Sequence, residues 1–190
     1  MSNAVEATRA WVESVVVELE LCPFAREVLA AGRVRFIESP ARDPEALLAD
    51  LDSELARLLR TPVADLDTTL LVHPHTLVDF ADYNDFLDPA EALLRARGCE
   101  GVVQLASFHP EYVFADSAHD DPANWTNRSP HPMLHLLREQ SVTDAIAAFA
   151  GAADIPARNA ERLRELGEAE MRSRRACCRS ARASARCVGS

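Results

Sequence analysis

Residues Thr68–Pro74 read T-T-L-L-V-H-P. Two threonines, three aliphatics and a closing proline make a short buried strand with a marked exit, since proline cannot donate to a ladder. The same signal recurs on both sides. Upstream, Val34–Glu38 is strand-like and stops at Ser39-Pro40; downstream, Val102–Phe108 stops at His109-Pro110. Between the strands lie two segments of helical period. Asp43-Pro44 opens one that runs to about Arg60, with Leu47, Leu51, Leu55 and Leu58 as its apolar stripe. The other runs from Asp79 to Arg97, is firmest from Pro89, and is capped by Gly98. Strand, helix, strand, helix, strand implies right-handed crossovers. The expected fold is α/β, a small, mostly parallel three- to four-stranded sheet wrapped by helices. A ferredoxin-like mixed sheet is the alternative.

The flanks are helical in pattern. Ala7, Trp11, Val15 and Leu19 repeat every fourth residue and predict a helix from residue 4 to about residue 20, against a competing strand alternation over Val15–Leu21. Phe24–Ala31 reads as a short helix stopped by Gly32. After the third strand a long polar stretch leads to Pro132. Pro132–Gln140 reads as a short helix, Ser141–Asp144 opens another with a capping-box pattern, and Pro156 to about Arg174 is a last amphipathic helix. Residues 5–170 are expected to form a single domain, with 171–190 an Arg- and Cys-rich disordered tail.

Lysine is absent, and all 20 basic residues are arginine. Six arginines and no acid follow Glu170, so the first 170 residues hold 14 arginines against 30 acids. So acidic a body argues against nucleic acid as a partner, because that partner rewards phosphate neutralisation. No apolar run approaches the ~20 residues of a membrane span, and no basic, then apolar leader opens the chain. A cytoplasmic protein without a membrane partner is the expectation. The five cysteines form no C-x-x-C pair, which argues against a zinc ribbon or a dithiol centre.

All three strands end in X-Pro. In an open parallel sheet, ligands bind outside the carboxyl ends of the strands. That rule groups residues far apart in sequence: His73, His75 and His109, with Glu38 nearby. The stretch S-F-H-P-E-Y-V-F-A-D-S-A-H-D-D-P-A-N-W-T-N-R-S-P-H-P-M-L-H-L-L-R-E, residues 107–139, crowds further capable side chains into one loop. Asn124, Asn127, Arg128 and Ser129 lead into the expected helix at Pro132. Backbone N–H groups at a helix start favour anions, and Arg128 adds a fork for carboxylate or phosphate. The same residues equally suit an internal turn that holds the loop together. His131, His135 and Glu139 stand at helical spacing with Arg138 beside them, so His135 and Glu139 could share a metal or a proton. A merely polar helix face is the plainer account. Asp79–Asp88 holds enough acids for a hard cation but lacks an EF-hand pattern, so dipole partners fit better. Cys22-Pro23 is a thiol at a helix start, or a half-buried structural one.

L-C-P-F-A, L-L-V-H-P followed by D-F-A-D-Y-N-D-F-L, F-H-P-E-Y-V-F, and T-N-R-S-P-H-P-M-L-H-L-L-R-E together resemble the domain of unknown function 1415 family, found mainly in bacteria. The resemblance covers roughly residues 5–167. It implies no activity, but it does imply that the motif residues form a shared site. An aromatic often stands in that family where this chain has His131, which leaves His135 the better ligand candidate.

Two functions follow as expectations. The first is an enzyme with a His-rich pocket at the strand ends, roofed by the Pro110–Pro132 loop, acting on a small anionic substrate. His109, His135 and Glu139 would be catalytic. Asn124, Asn127, Arg128, Ser129 and Arg138 would bind substrate, and His73, His109 and His135 would hold a divalent metal. The second is a non-catalytic protein that binds a small anion, a metal or haem, or a protein partner. If each imidazole instead bonds a backbone carbonyl, the loop is a structural clasp.

Overall fold

The computed structural model describes residues 3–22, 24–148 and 152–180. One four-stranded sheet carries helices on both faces. Its strands are β1 (Val34–Glu38), β2 (Thr68–Val72), β3 (Val103–Phe108) and β4 (Met133–Arg138), in the order β1-β2-β4-β3. β1 and β2 pair in parallel, while β4 pairs antiparallel with both β2 and β3. The first three strands therefore run the same way, and β4 runs back between two of them.

The α/β class holds, and so do the three strand and two helix segments that led to it. The sheet, however, is mixed rather than mostly parallel, because residues 133–138 form a strand where helical spacing was read. Both faces of β4 are covered, with Met133 turned to one apolar cluster and Leu134 and Leu136 to the other. A strand buried on both sides loses its alternation, and M-L-H-L-L-R then mimics a helix.

Two helices cover one face: α3 (Pro44–Arg60) and α4 (Phe80–Ala96). Asp43 caps α3 through Ala46 N–H at 2.8 Å, and Asp79 caps α4 through Ala81 N–H at 2.8 Å, so Asp79 serves as a helix cap. Leu47, Leu51, Leu55 and Leu58 of α3 pack with Leu71, Leu134 and Leu136 of the sheet. On the other face lie α1 (Asn3–Trp11), which continues as a π-helix over Val12–Val17, and the long α6 (Ile155–Arg179). They pack on Leu70, Val72 and Met133 through Trp11, Val15, Leu163 and Met171. The short α2 (Ala25–Ala30) precedes β1, and α5 (Glu139–Ala148) follows β4 without a break.

α6 is two helical halves joined at Gly167, which has φ 76° and ψ 163°. Only glycine adopts that conformation readily. The distal half includes residues 171–179, which the sequence assigned to the tail. Met171 and Cys178, both 2% exposed, anchor it in the core. Residues 181–190 of the expected disordered tail lie outside the described residues. Among the described residues no helix is long and apolar enough to cross a membrane.

Candidate functional site

The common direction of β1, β2 and β3 brings their carboxyl ends to one edge of the sheet, where β4 begins. Backbone bonds tie the exits together: Ser39 N–H donates to Val72 O (2.7 Å), His73 N–H to Pro132 O (3.0 Å) and His109 N–H to Asn127 O (3.1 Å). Glu38, His73, His75, His109 and His131 thus all stand at this edge. Alternation along the strands sorts them to two sides.

On the α4 side, His73 and His109 are both fully buried and flank Tyr83, with ring centroids 5.7 and 5.1 Å from it. The Tyr83 hydroxyl donates to Met133 O and accepts from Phe108 N–H, both at 2.9 Å, so one side chain of α4 bridges β3 and β4. His73 Nδ1–H donates to Thr76 O at 3.1 Å. His109 Nε2–H donates to Val78 O at 3.1 Å, and its Nδ1 accepts from Glu111 N–H at 3.0 Å. Between those two carbonyls sits Leu77 at φ 53°, a left-handed conformation that side chains other than glycine rarely take. The two imidazoles fasten this turn from either side. His109 has both ring nitrogens engaged, whereas His73 Nε2 is buried with no hydrogen-bond partner. Burial pushes His73 down to about 4, and burial also lowers His109, so both are neutral near pH 7.

On the α6 side, His75 Nε2 stands 3.5 Å from Glu38 Oε1. His131 is partly buried. Desolvation lowers its pKa first, the Arg179 cation and His75 lower it further, and the Glu38 carboxylate raises it. Arg175 of α6 donates to Pro110 O, lies 3.8 Å from Glu111 Oε1 and stacks 4.7 Å from the Trp125 ring. Arg128 lies 5.4 Å from the same ring. Burial lowers the pKa of both guanidinium groups.

The loop is held from within. Asn124 uses its whole amide: Oδ1 accepts from Phe114 N–H (3.0 Å) and Ser117 Oγ–H (2.6 Å), and Nδ2 donates to Ala118 O (2.8 Å) and His119 O (3.3 Å). Asn127 Nδ2 donates to Ser107 O at 2.9 Å. Arg128, 3% exposed, donates to Tyr112 O (3.0 Å) and His119 O (2.6 Å). Ser129 Oγ–H donates to His131 O at 2.6 Å.

The remaining expected site residues lie elsewhere. His135 is the third residue of β4 and faces the α1 side, beside Phe108 and bonded through Nε2 to Thr68 Oγ at 2.6 Å. Burial pushes it down to about 4. Arg138 and Glu139 stand at the far end of β4, roughly 17 Å from its start at ~3.3 Å per residue. There Arg138 caps α3 by donating to Leu58 O (2.6 Å), Thr61 O (2.6 Å) and Leu66 O (3.2 Å). The strand therefore parts His131, His135 and Glu139, which a helix would have stacked on one face. Among the described residues no group of three or more His, Cys, Asp or Glu is placed to hold a metal. Cys22 is partly buried, and desolvation raises its thiol pKa, so it lacks the activated character that a helix start can give.

Sequence reasoning missed three members of this edge. Tyr83 was read within a run of aspartates, Leu77 gives no sign of its left-handed backbone, and Arg175 was left in the tail. No curated protein and no solved structure matches the chain. One family does, over residues 3–173 of the 190, so that it spans every strand and both sides of this edge. The chain belongs to that family, described as protein of unknown function (DUF1415).

Proposed function

We propose that the carboxyl edge of the sheet binds a small anionic substrate on its α6 side, with His75 and Glu38 as an acid–base pair. The observation that carries this reading is the 3.5 Å approach of His75 Nε2 to Glu38 Oε1 at the ends of β1 and β2. A carboxylate beside an imidazole fixes the orientation of its ring, which places a nitrogen for proton exchange with a bound group. His131, kept neutral by burial and by Arg179, stands next to the pair as a hydrogen-bonding group. Arg175 and Arg179 supply positive charge in an otherwise acidic body. The reading shifts the chemistry from His135 and Glu139, which β4 carries away from the edge, and from His109, whose ring nitrogens are both engaged, to residues that meet.

A non-catalytic binding protein is the second reading. The engagement of His109, Asn124 and Arg128 by partners within the chain, mostly backbone groups, favours it, since these side chains have the bonding of a rigid frame.

Imidazole proton NMR during titration with millimolar inorganic phosphate tests the site. His75 and His131 signals are expected to move together, with the response weakened in Glu38→Gln and lost in His75→Ala. If His75 stays still while the chain is folded, the proposal fails. Turnover of a phosphate- or carboxylate-bearing metabolite mixture by the wild type but not by His75→Ala would separate the enzyme from the binding protein.

A further inference from the structure

β1 is an edge strand, and an open groove of about 410 Å³ runs along it. Three consecutive β1 residues, Val34, Arg35 and Phe36, line the groove. Successive side chains of a strand point to opposite faces. A cavity that touches all three reaches both faces of the strand, and Gly32, Asp65 and Leu66 close it at the strand's start.

The ladder tells which groups face it. Arg33 O accepts from Asp67 and Thr68, and Ser39 N–H donates to Val72 O, so the odd-numbered residues point inward at β2. Alternation turns the N–H and C=O groups of Val34 and Phe36 outward, into the groove. Those groups are a template for one more strand.

The walls are cationic. Arg9 of α1 lies over the Phe36 ring at 4.3 Å and has no ion pair among the described residues. Across the groove, Arg35 and Arg57 both meet Glu54, at 2.6 and 3.6 Å. One buried carboxylate thus stands against two guanidinium groups, and Asp65 is the one acid among the groove's lining residues. An added strand would direct alternate side chains toward Arg9 on one face and Arg57 on the other. A second copy is a poor occupant, because two-fold pairing of β1 with itself would set these arginines against their own copies.

We propose that the free edge of β1 is a docking site for an extended, acidic segment of a partner protein, added to the sheet as a fifth strand. The occupant is recognised by main-chain bonds to Val34 and Phe36 and by carboxylates that reach Arg9 and Arg57. The site runs along the side of β1, whereas Glu38 and His75 meet at that strand's carboxyl end, and it does not depend on that reading.

The test titrates the isotopically labelled full chain with a short peptide of alternating valine and glutamate, and with its lysine counterpart. The glutamate peptide is expected to shift the Val34 and Phe36 amide signals and slow their hydrogen exchange. The lysine peptide is expected to do neither. Arg9→Ala should weaken binding about two- to fivefold, the size of one exposed charge pair. Val34→Pro removes an outward N–H while sparing the β1–β2 ladder, and should abolish binding in a chain that still folds. Unmoved Val34 and Phe36 amides, or equal binding of the lysine peptide, would overturn the proposal. So would full competition by succinate, which would make this a small-anion site, or concentration-dependent protection of the two amides without peptide, which would make it a self-interface.

Discussion

His73 shows how much one side chain at the sheet edge decides. Its Nδ1–H holds Thr76 O, and its Nε2 is buried without a partner. The first bond stabilises the turn, while the second nitrogen carries a desolvation cost. His73→Asn keeps a donor near Nδ1 and exchanges the Nε2 orphan for an unpaired amide oxygen, so stability by urea denaturation should stay within about 1 kcal/mol of wild type. His73→Leu strands the Thr76 carbonyl and should lose about 1–3 kcal/mol. The same residue sets a pH dependence. Its folded pKa of about 4 lies below the ordinary 6.5, so the unfolded chain binds the extra proton first. The neutral imidazole's full contribution is present above pH 6.5 and declines as pH falls toward 4. Two to three units at ~1.36 kcal/mol each give a loss on the order of 3 kcal/mol. Urea midpoints from pH 7 down to pH 4 should fall more steeply in the wild type than in His73→Asn. Equal slopes would show that His73 does not titrate with unfolding.

At the scale of elements, the join within α6 invites the next prediction. Gly167 holds φ 76° and ψ 163° with open space around the place of a Cβ. Gly167→Ala meets no clash, yet it forces a side chain into a region that is almost glycine's alone, at about 1–3 kcal/mol. A straightened helix relieves the strain only if its distal half leaves the body. Hydrogen exchange should therefore quicken first over residues 168–179. The same scale shows why β1, β2, β3, α3 and α4 were legible and β4 was not. Leu47, Leu51, Leu55 and Leu58 keep one wet and one dry face, so their period survives in the sequence. Leu134 and Leu136 face one cluster and Met133 the other, so no wet face remains to mark the pleat. The edge that gathers Glu38, His73, His75 and His109 could be foreseen from the three X-Pro exits. His135 and Glu139 could not be placed, because their position depended on β4.

For the whole molecule, the distal half of α6 works as a clamp across separate parts of the chain. Arg174 reaches Ser14 O at 3.2 Å, Arg175 reaches the loop at Pro110, and Met171 is buried with Trp11 and Trp125 in one cluster. Met171→Ala should then cost about 2–5 kcal/mol and lower a single cooperative urea transition, rather than fray one helix. A separate early transition confined to tryptophan fluorescence would contradict that unity. The exposed ion pairs along the clamp, Arg172–Glu168 among them, add little beside this burial.

The π-helix at Val12–Val17 has a consequence of its own. Ala7, Trp11, Val15 and Leu19 recur at strict intervals of four, and all four are buried. A four-residue repeat outruns the ~3.6-residue turn of an α-helix, so the marked side drifts around the axis. The wider π turn takes up that drift, and the four side chains keep facing the sheet. The segment is a phase corrector written into the backbone. Straightening residues 12–17 into a regular α-helix with none removed would swing everything before them by roughly 100°. Trp11 would leave the core, although no side chain in the core had been altered.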